Sequence, residues 1–317
     1  MTFSILIPAY KRRFLAEAVE SVLAQTCADF ELIIVNDASP EDLRSVVTPY
    51  LGDPRVRYYE NAHNCGAVDV VDNWNICLSH AAGDYVLCMG DDDRLLPHCL
   101  TCYAHLIKQF PGLALYHGWT ELIDESGAVV HMQEPRPLKE DVYSMMWGRW
   151  HGRTQYIGDF LFLAAPLKQA GGFYKIPLAW GSDDISAFRA AAIGGVANTQ
   201  EPVFQYRVSG RTISRTGNAI MKLRSVDDYE QWCRQFLACE PPAALTPSAR
   251  VFRRDCLDTF ARTMAKKRVL EMAAAIRHAP LRWTAHFFLH RKQYHVRCSH
   301  IIYAAITALK NARVSNS

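Results

Sequence analysis

The most informative absences in this 317-residue chain are of long apolar runs, glycine-rich nucleotide loops and paired cysteine clusters. No apolar stretch approaches the roughly 18–20 residues that a membrane-spanning helix needs. Met1–Ser4 run straight into a strand-like segment, with no charged region followed by an apolar one as in a secretory signal. No G-x-G-x-x-G follows the first strand, and Pro-Ala-Tyr-Lys-Arg stands there instead, which excludes a nicotinamide dehydrogenase. The lack of G-x-x-x-x-G-K-S/T excludes a P-loop enzyme in the same way. Cys99 and Cys102 form one C-x-x-C, but no second pair exists at zinc spacing, so both are expected to pack in a helix. The ten scattered cysteines and the missing leader read as a reducing, cytoplasmic protein.

Acids are scarce in one place. Between Arg262 and Arg313 lie eleven Lys or Arg and one acid, Glu271, a local balance of +10 that leaves −7 for the rest. The same stretch carries Trp283, Phe287, Phe288, Leu289, Ile301, Ile302 and Leu309. Basic helices with apolar faces suit an anionic membrane surface, or they pack on the protein itself. No nucleic-acid partner is expected.

What is present is an alternation of strands and helices. Phe3–Ile7 is an apolar strand stopped by Pro8, and Phe14–Leu23 has one apolar helical face. Strands follow at 30–35, 55–59 and 85–89, with helices at 67–82 and 97–110. Ser39-Pro40-Glu41-Asp42 has the chemistry of a helix start. Residues 113–130 read as two strands about Glu125-Ser126-Gly127, 133–155 as a substrate-facing loop, 182–193 as a helix and 203–208 as a strand. From Asn218 onward only helices are expected, broken at Pro241-Pro242 and Pro280. Such alternation calls for an α/β fold, an open and mostly parallel sheet flanked by helices, here with a C-terminal helical extension. Ligands of such sheets bind beyond the carboxyl ends of the strands.

Two acidic features fall at that edge. Gly90-Asp91-Asp92-Asp93 closes the strand at 85–89, and three consecutive carboxylates there are best explained by a hard divalent cation shared with a diphosphate. Asp37 ends the strand at 30–35 and can accept the N–H of a nucleobase, or serve as a turn residue.

Ser4-Ile5-Leu6-Ile7-Pro8-Ala9-Tyr10, Val35-Asn36-Asp37-Ala38-Ser39, and Gly83-Asp84-Tyr85 leading to Asp91-Asp92-Asp93 and Leu96-Pro97 together resemble glycosyltransferase family 2. The resemblance covers about residues 2–215 and implies a GT-A-type fold, an inverting transfer and Mn²⁺ or Mg²⁺ as cofactor. It implies that Pro8, Ala9 and Tyr10 line the nucleoside and that Asp37 meets the base. It places the metal on Asp92, with Asp93 beside it, and Asp91 on the nucleotide side. Gly90 stands where the family has its leading Asp, and Trp74 where many relatives carry a basic residue before the asparagine matched by Asn75. Asp183 resembles the family's general base, six residues before Arg189, with Asp184 as the second choice. Arg207–Arg215 resembles a loop folding over the diphosphate, with Arg207 and Arg211 as phosphate ligands and Ser209 at a frequent histidine position.

The expectation is therefore a catalytic domain over 1–215 and a basic helical extension over 216–317. The enzyme would move a sugar from a nucleotide-diphosphate sugar to an acceptor hydroxyl of a saccharide or lipid-linked saccharide, in cell-surface polysaccharide or glycolipid synthesis. It would work in the cytoplasm, peripheral to the inner face of the membrane. A catalytically inactive nucleotide-sugar-binding relative and a nucleotidyltransferase of similar fold are the alternatives.

Overall fold

The computed structural model describes residues 1–208, 218–241 and 245–314, with side chains to residue 310. The chain forms two compact units, one of Met1–Lys175 with Ser182–Thr212 and one of Ile176–Gly181 with Ile213–Ser317.

The first unit is built on one sheet. Strands β1 (Phe3–Ala9), β2 (Phe30–Asn36), β3 (Val56–Glu60) and β4 (Tyr85–Cys88) lie in the order β3-β2-β1-β4, all parallel. The residues of β1, β2 and β4 are mostly apolar and buried because helices cover both faces, whereas the edge strand β3 carries Arg57 and Glu60 and is only partly buried. β1 does not stop at Pro8, which pairs with Val35 while Ala9 pairs with Asn36. Proline removes one ladder donor near the strand's end, which shortens the hydrogen bonding but not the strand.

Beyond β4 the sheet becomes mixed. β9 (Phe160–Leu163) inserts antiparallel between β4 and β6 (Leu115–Ile123), and β10 (Val196–Arg207) lies parallel to β6. The short β5 (Arg94–Leu95) closes the order against β10, while β7 (Val129–Met132) and β8 (Lys139–Glu140) attach to β6 and β10. The parallel part is therefore confined to the N-terminal half and the β6–β10 pair.

Helices α1 (Leu15–Leu23), α3 (Val70–His80) and α4 (Cys99–Gln109) form as the periodicity predicts. The Ser39-Pro40 start does not. Its helix α2 shrinks to Arg44–Val47, with Asp42 accepting the Ser45 N–H, while the Ser39 hydroxyl accepts the Glu41 N–H at 3.1 Å and donates to the Tyr10 carbonyl at 2.6 Å. The segment 133–155 is also more than a loop. It contains α5 (Val142–Trp150), whose Asp141 cap accepts two backbone N–H groups. Val142, Met145, Met146 and Trp150 are buried at helical spacing, a signal outweighed in the sequence by neighbouring Pro and Arg. Helices α6 (Ala164–Gln169) and α7 (Ser182–Ala191) complete this unit.

The second unit is helical, with α8 (Ala219–Ala238), α9 (Pro247–His278), α10 (Pro280–Leu289) and α11 (Cys298–Val314). Its core gathers Leu223, Met272, Ile276, Phe287, Tyr294 and Ile301. Among the described residues no helix is long and apolar enough to cross a membrane.

Candidate active site

The carboxyl ends of β1, β2 and β4 are neighbours, so the loops after Ala9, Asn36 and Cys88 converge. Asp37 is buried, and its Oδ1 accepts Asn61 Nδ2 and the Cys65 N–H, both at 2.9 Å. The Cys65 thiol also lies against Asp37, and burial, then that carboxylate, raise the thiol pKa. Tyr10, at the mouth of β1, is 44% exposed, while Ala9 is buried and Pro8 half-buried.

The acidic triplet divides into three different environments. Asp91 turns back onto the first loop, where its Oδ2 accepts the Tyr10 and Lys11 N–H groups at 2.7 and 2.6 Å. Burial pushes its carboxyl up to about 6, against the pull of Lys11. Asp93 faces inward, and its two oxygens accept the backbone N–H groups of Arg207 and Gly90 at 2.9 and 3.2 Å. Burial, then the Asp92 charge, raise its pKa well above the carboxylate range.

Asp92 meets Lys11 Nζ at 2.9 Å. Burial pulls the Lys11 ammonium down, but the three carboxylates outweigh it and raise its pKa. Gly90 has a steric reason. A Cβ there would lie 2.8 Å from Asp93 Oδ2 and 3.0 Å from Asp92 Oδ1, so the aspartate expected at that position would force those carboxyls to move.

Two residues matched to substrate-binding positions are committed elsewhere. Arg207 is 1% exposed and its guanidinium donates to the carbonyls of Asp92, Asp124 and Glu125 and to Glu17 Oε2, while stacking 4.0 Å over Phe14. A guanidinium so engaged binds the acidic loop to β10 and is not free to clamp a phosphate. Asn75 spends both ends of its amide on the Phe173 backbone, at 3.1 and 2.8 Å, and so fixes a turn. Trp74, at the missing basic position, is buried edge-on to Phe173. Arg211 lies outside the described residues, as does Ser209.

At the start of α7 the two acids also separate. Asp184 is fully buried, and its Oδ1 accepts Arg149 Nε at 2.7 Å and Gln155 Nε2 at 2.8 Å. Asp183 is half-buried, and its Oδ1 accepts only the Asp184 N–H among its hydrogen bonds with described residues. Burial, reinforced by the Asp184 charge, lifts the Asp183 carboxyl to about 7. A carboxylate poised there is a competent proton acceptor at neutral pH.

Tyr206 joins the two acidic regions. Its ring stacks on Tyr156 at 3.8 Å, and its phenol pKa is raised by burial first, then by Asp93, Tyr156, Asp92 and Asp183. The charges of Asp92, Asp93 and Asp183 therefore all bear on the Tyr206 phenol. Lys11, Tyr156 and Tyr206 carried no sequence signal, because each meets the acids only through tertiary contacts.

A hard dication fits this site with one protein oxygen donor. Asp92 Oδ1 accepts no hydrogen bond from the described residues, whereas Asp91 and Asp93 are engaged by backbone amides. Mg²⁺ or Mn²⁺ held by one carboxylate and completed by diphosphate oxygens and water satisfies that geometry.

An open α/β sheet with an acidic loop at its carboxyl edge is an architecture suited to a phosphorylated ligand. Residues 4–159 match the model of glycosyl transferase family 2. An uncharacterized glycosyltransferase of Rickettsia typhi is 25% identical over 243 residues, spanning 74% of this chain and 71% of that protein. The putative colanic acid biosynthesis glycosyl transferase of Escherichia coli K12 is 41% identical over 103 residues, 32% of this chain and 36% of that one. The crystal structure of Staphylococcus aureus TarS 1–349 in complex with UDP-GlcNAc aligns with 99% of this chain and 92% of its own, at a TM-score of 0.67 and 15% identity. The fold is thus of the GT-A type. Over residues 4–159 the chain belongs to glycosyltransferase family 2.

Proposed function

We propose that this glycosyltransferase inverts configuration in a direct displacement, moving a sugar from a nucleoside diphosphate to an acceptor hydroxyl. The reading is supported by the half-buried Asp183 at the start of α7, whose charge, like those of Asp92 and Asp93, bears on Tyr206. Asp37 takes an N–H of the base, and the exposed Tyr10 ring covers the nucleoside. Asp183 takes the proton from the acceptor hydroxyl as that oxygen attacks the anomeric carbon. Asp184, held by Arg149 and Gln155, fixes the turn that presents Asp183. Lys11 places a positive charge beside the departing diphosphate. Mn²⁺ or Mg²⁺ on Asp92 would neutralise further charge on that leaving group.

Support for a nucleotide-sugar donor comes from the likeness to TarS, which was solved with UDP-GlcNAc. Support for a role in polysaccharide synthesis comes from the colanic acid relative. A thermal-shift panel of nucleoside diphosphates with and without Mn²⁺ tests the donor class. The anomeric configuration of the product, read by NMR, tests inversion, and a retained configuration would refute the displacement.

We further propose that the acceptor is met at an anionic lipid surface. Ile301, Ala304 and Ala308 of α11 pack inward, yet Ile302, Tyr303, Ile306 and Leu309 form an outward apolar stripe, each 45–65% exposed. A helix apolar on both faces needs a second apolar environment. The surrounding charge of +10 selects anionic headgroups, each basic residue near them contributing about 1 kcal/mol. Phe287 and Ile301 belong to the core of this unit, so only part of the apolar content of 262–313 is available to lipid.

A further inference from the structure

The lone C-x-x-C gains partners that its sequence does not show. His98 precedes α4 and Cys102 lies one turn on, the i and i+4 positions of a single helix face. β10 shifts register against β6 between Asn198 and Pro202, and that irregular stretch carries Glu201 to the same face. Cys102 Sγ donates to Glu201 Oε1 at 3.2 Å, and Glu201 Oε2 lies 3.8 Å from His98 Nε2. One ligand atom from each of the three residues lies within 4.8 Å of the other two. His98 Nε2 also sits 2.9 Å from the Pro202 carbonyl oxygen.

These spacings suit tetrahedral coordination. With Zn–N and Zn–O bonds of about 2.0–2.1 Å and Zn–S of about 2.3 Å, neighbouring ligand atoms stand about 3.3–3.6 Å apart. The two separations, to different Glu201 oxygens, bracket that range, and with all three ligand atoms within 4.8 Å of one another closing the site needs shifts of about 1 Å or less. Glu201 is exposed, and His98 and Cys102 are partly so, which leaves the site open to solvent. Thiol, imidazole and carboxylate together favour a borderline-soft dication over Mg²⁺ or Mn²⁺, which prefer oxygen.

We propose that His98, Cys102 and Glu201 form a zinc-class cation site separate from Asp92, with the Pro202 carbonyl or water as fourth ligand. The thiol proton now donated to Glu201 leaves as the cation binds, and the imidazole proton moves to Nδ1. The bound cation braces the start of α4 against β10. The Arg207 amide at the end of β10 holds Asp93, so the brace supports the acidic loop from behind.

The full-length protein, stripped of metal, is titrated with Co²⁺ and read in the near ultraviolet. The expected result is a thiolate-to-cobalt charge-transfer band saturating at one equivalent, lost in Cys102→Ser and shifted to about tenfold or higher Co²⁺ in Glu201→Gln. Zn²⁺ should displace cobalt and raise the Tm of the parent protein but not of Cys102→Ser. A band that survives Cys102→Ser, or saturating Zn²⁺ with neither band competition nor a Tm shift, overturns the site. The oxygen-ligand site at Asp92 gives no thiolate band, so failure here leaves the transferase reading untouched.

Discussion

The backbone N–H of Arg207 donates to Asp93 Oδ1 at 2.9 Å, joining the end of β10 to an acidic loop 114 residues earlier. The Arg207 side chain reinforces that bond through the Asp92 carbonyl and the Glu17 carboxylate. A residue placed by family likeness among the phosphate ligands is thus a structural bolt, and this changes what its mutation should do.

Arg207→Ala should cost about 3–5 kcal/mol of stability, because it strands buried carbonyls and opens a cavity beside Phe14. Denaturant unfolding measures this directly. A variant with parental stability and selectively weakened diphosphate binding would restore the phosphate-ligand role.

Asp183→Asn and Asp184→Asn should part company. The first should reduce transfer about 10²–10⁴-fold while the protein stays folded. The second should destabilise by about 2–4 kcal/mol, since the Arg149 and Gln155 donors lose their anionic acceptor. Equal stability losses in both variants would argue that the pair is only a helix-terminal feature.

The raised Asp183 pKa also links stability to pH. The folded state holds this proton up to about pH 7, while the unfolded chain releases it near the ordinary aspartate value of 3.8. Stability from this group is therefore present at low pH and lost as pH rises through about 7. Asp183→Asn should remove that loss and stabilise the protein by on the order of 1–3 kcal/mol at pH 8, with little effect at pH 4. Activity of the parent enzyme should rise over the same interval as the base deprotonates. Unfolding curves at the two pH values, set beside the pH–rate profile, test both halves.

Lys11→Met should remove the ammonium paired with Asp92 at 2.9 Å. Mn²⁺ affinity without nucleotide should then rise several-fold, while nucleoside diphosphate affinity without metal should fall. Calorimetry reads both, and unchanged values would show that Lys11 is remote from the donor.

Ile302→Ser combined with Ile306→Ser should abolish cosedimentation of the full-length protein with vesicles of phosphatidylglycerol and phosphatidylcholine. The parent should bind these and ignore phosphatidylcholine alone. A stripe that instead drives self-association, seen by sedimentation without lipid, would displace the membrane reading.

The sequence by itself determined the strand–helix alternation of the first half, the sheet edge where acids collect and the family, because apolar periodicity and local spacing are properties of contiguous residues. It could not show that β9 enters antiparallel, that Pro8 stays within β1, or that α5 fills the apparent loop at 133–155. Those depend on pairing partners far along the chain. The roles of single acids were likewise undecided. Asp91, Asp92 and Asp93 are identical in chemistry and adjacent in sequence, yet one meets amides of the first loop, one meets Lys11 and one meets Arg207. Only the tertiary structure sets burial and hydrogen-bond partners, and these decide whether a carboxylate is a ligand, a base or a clasp.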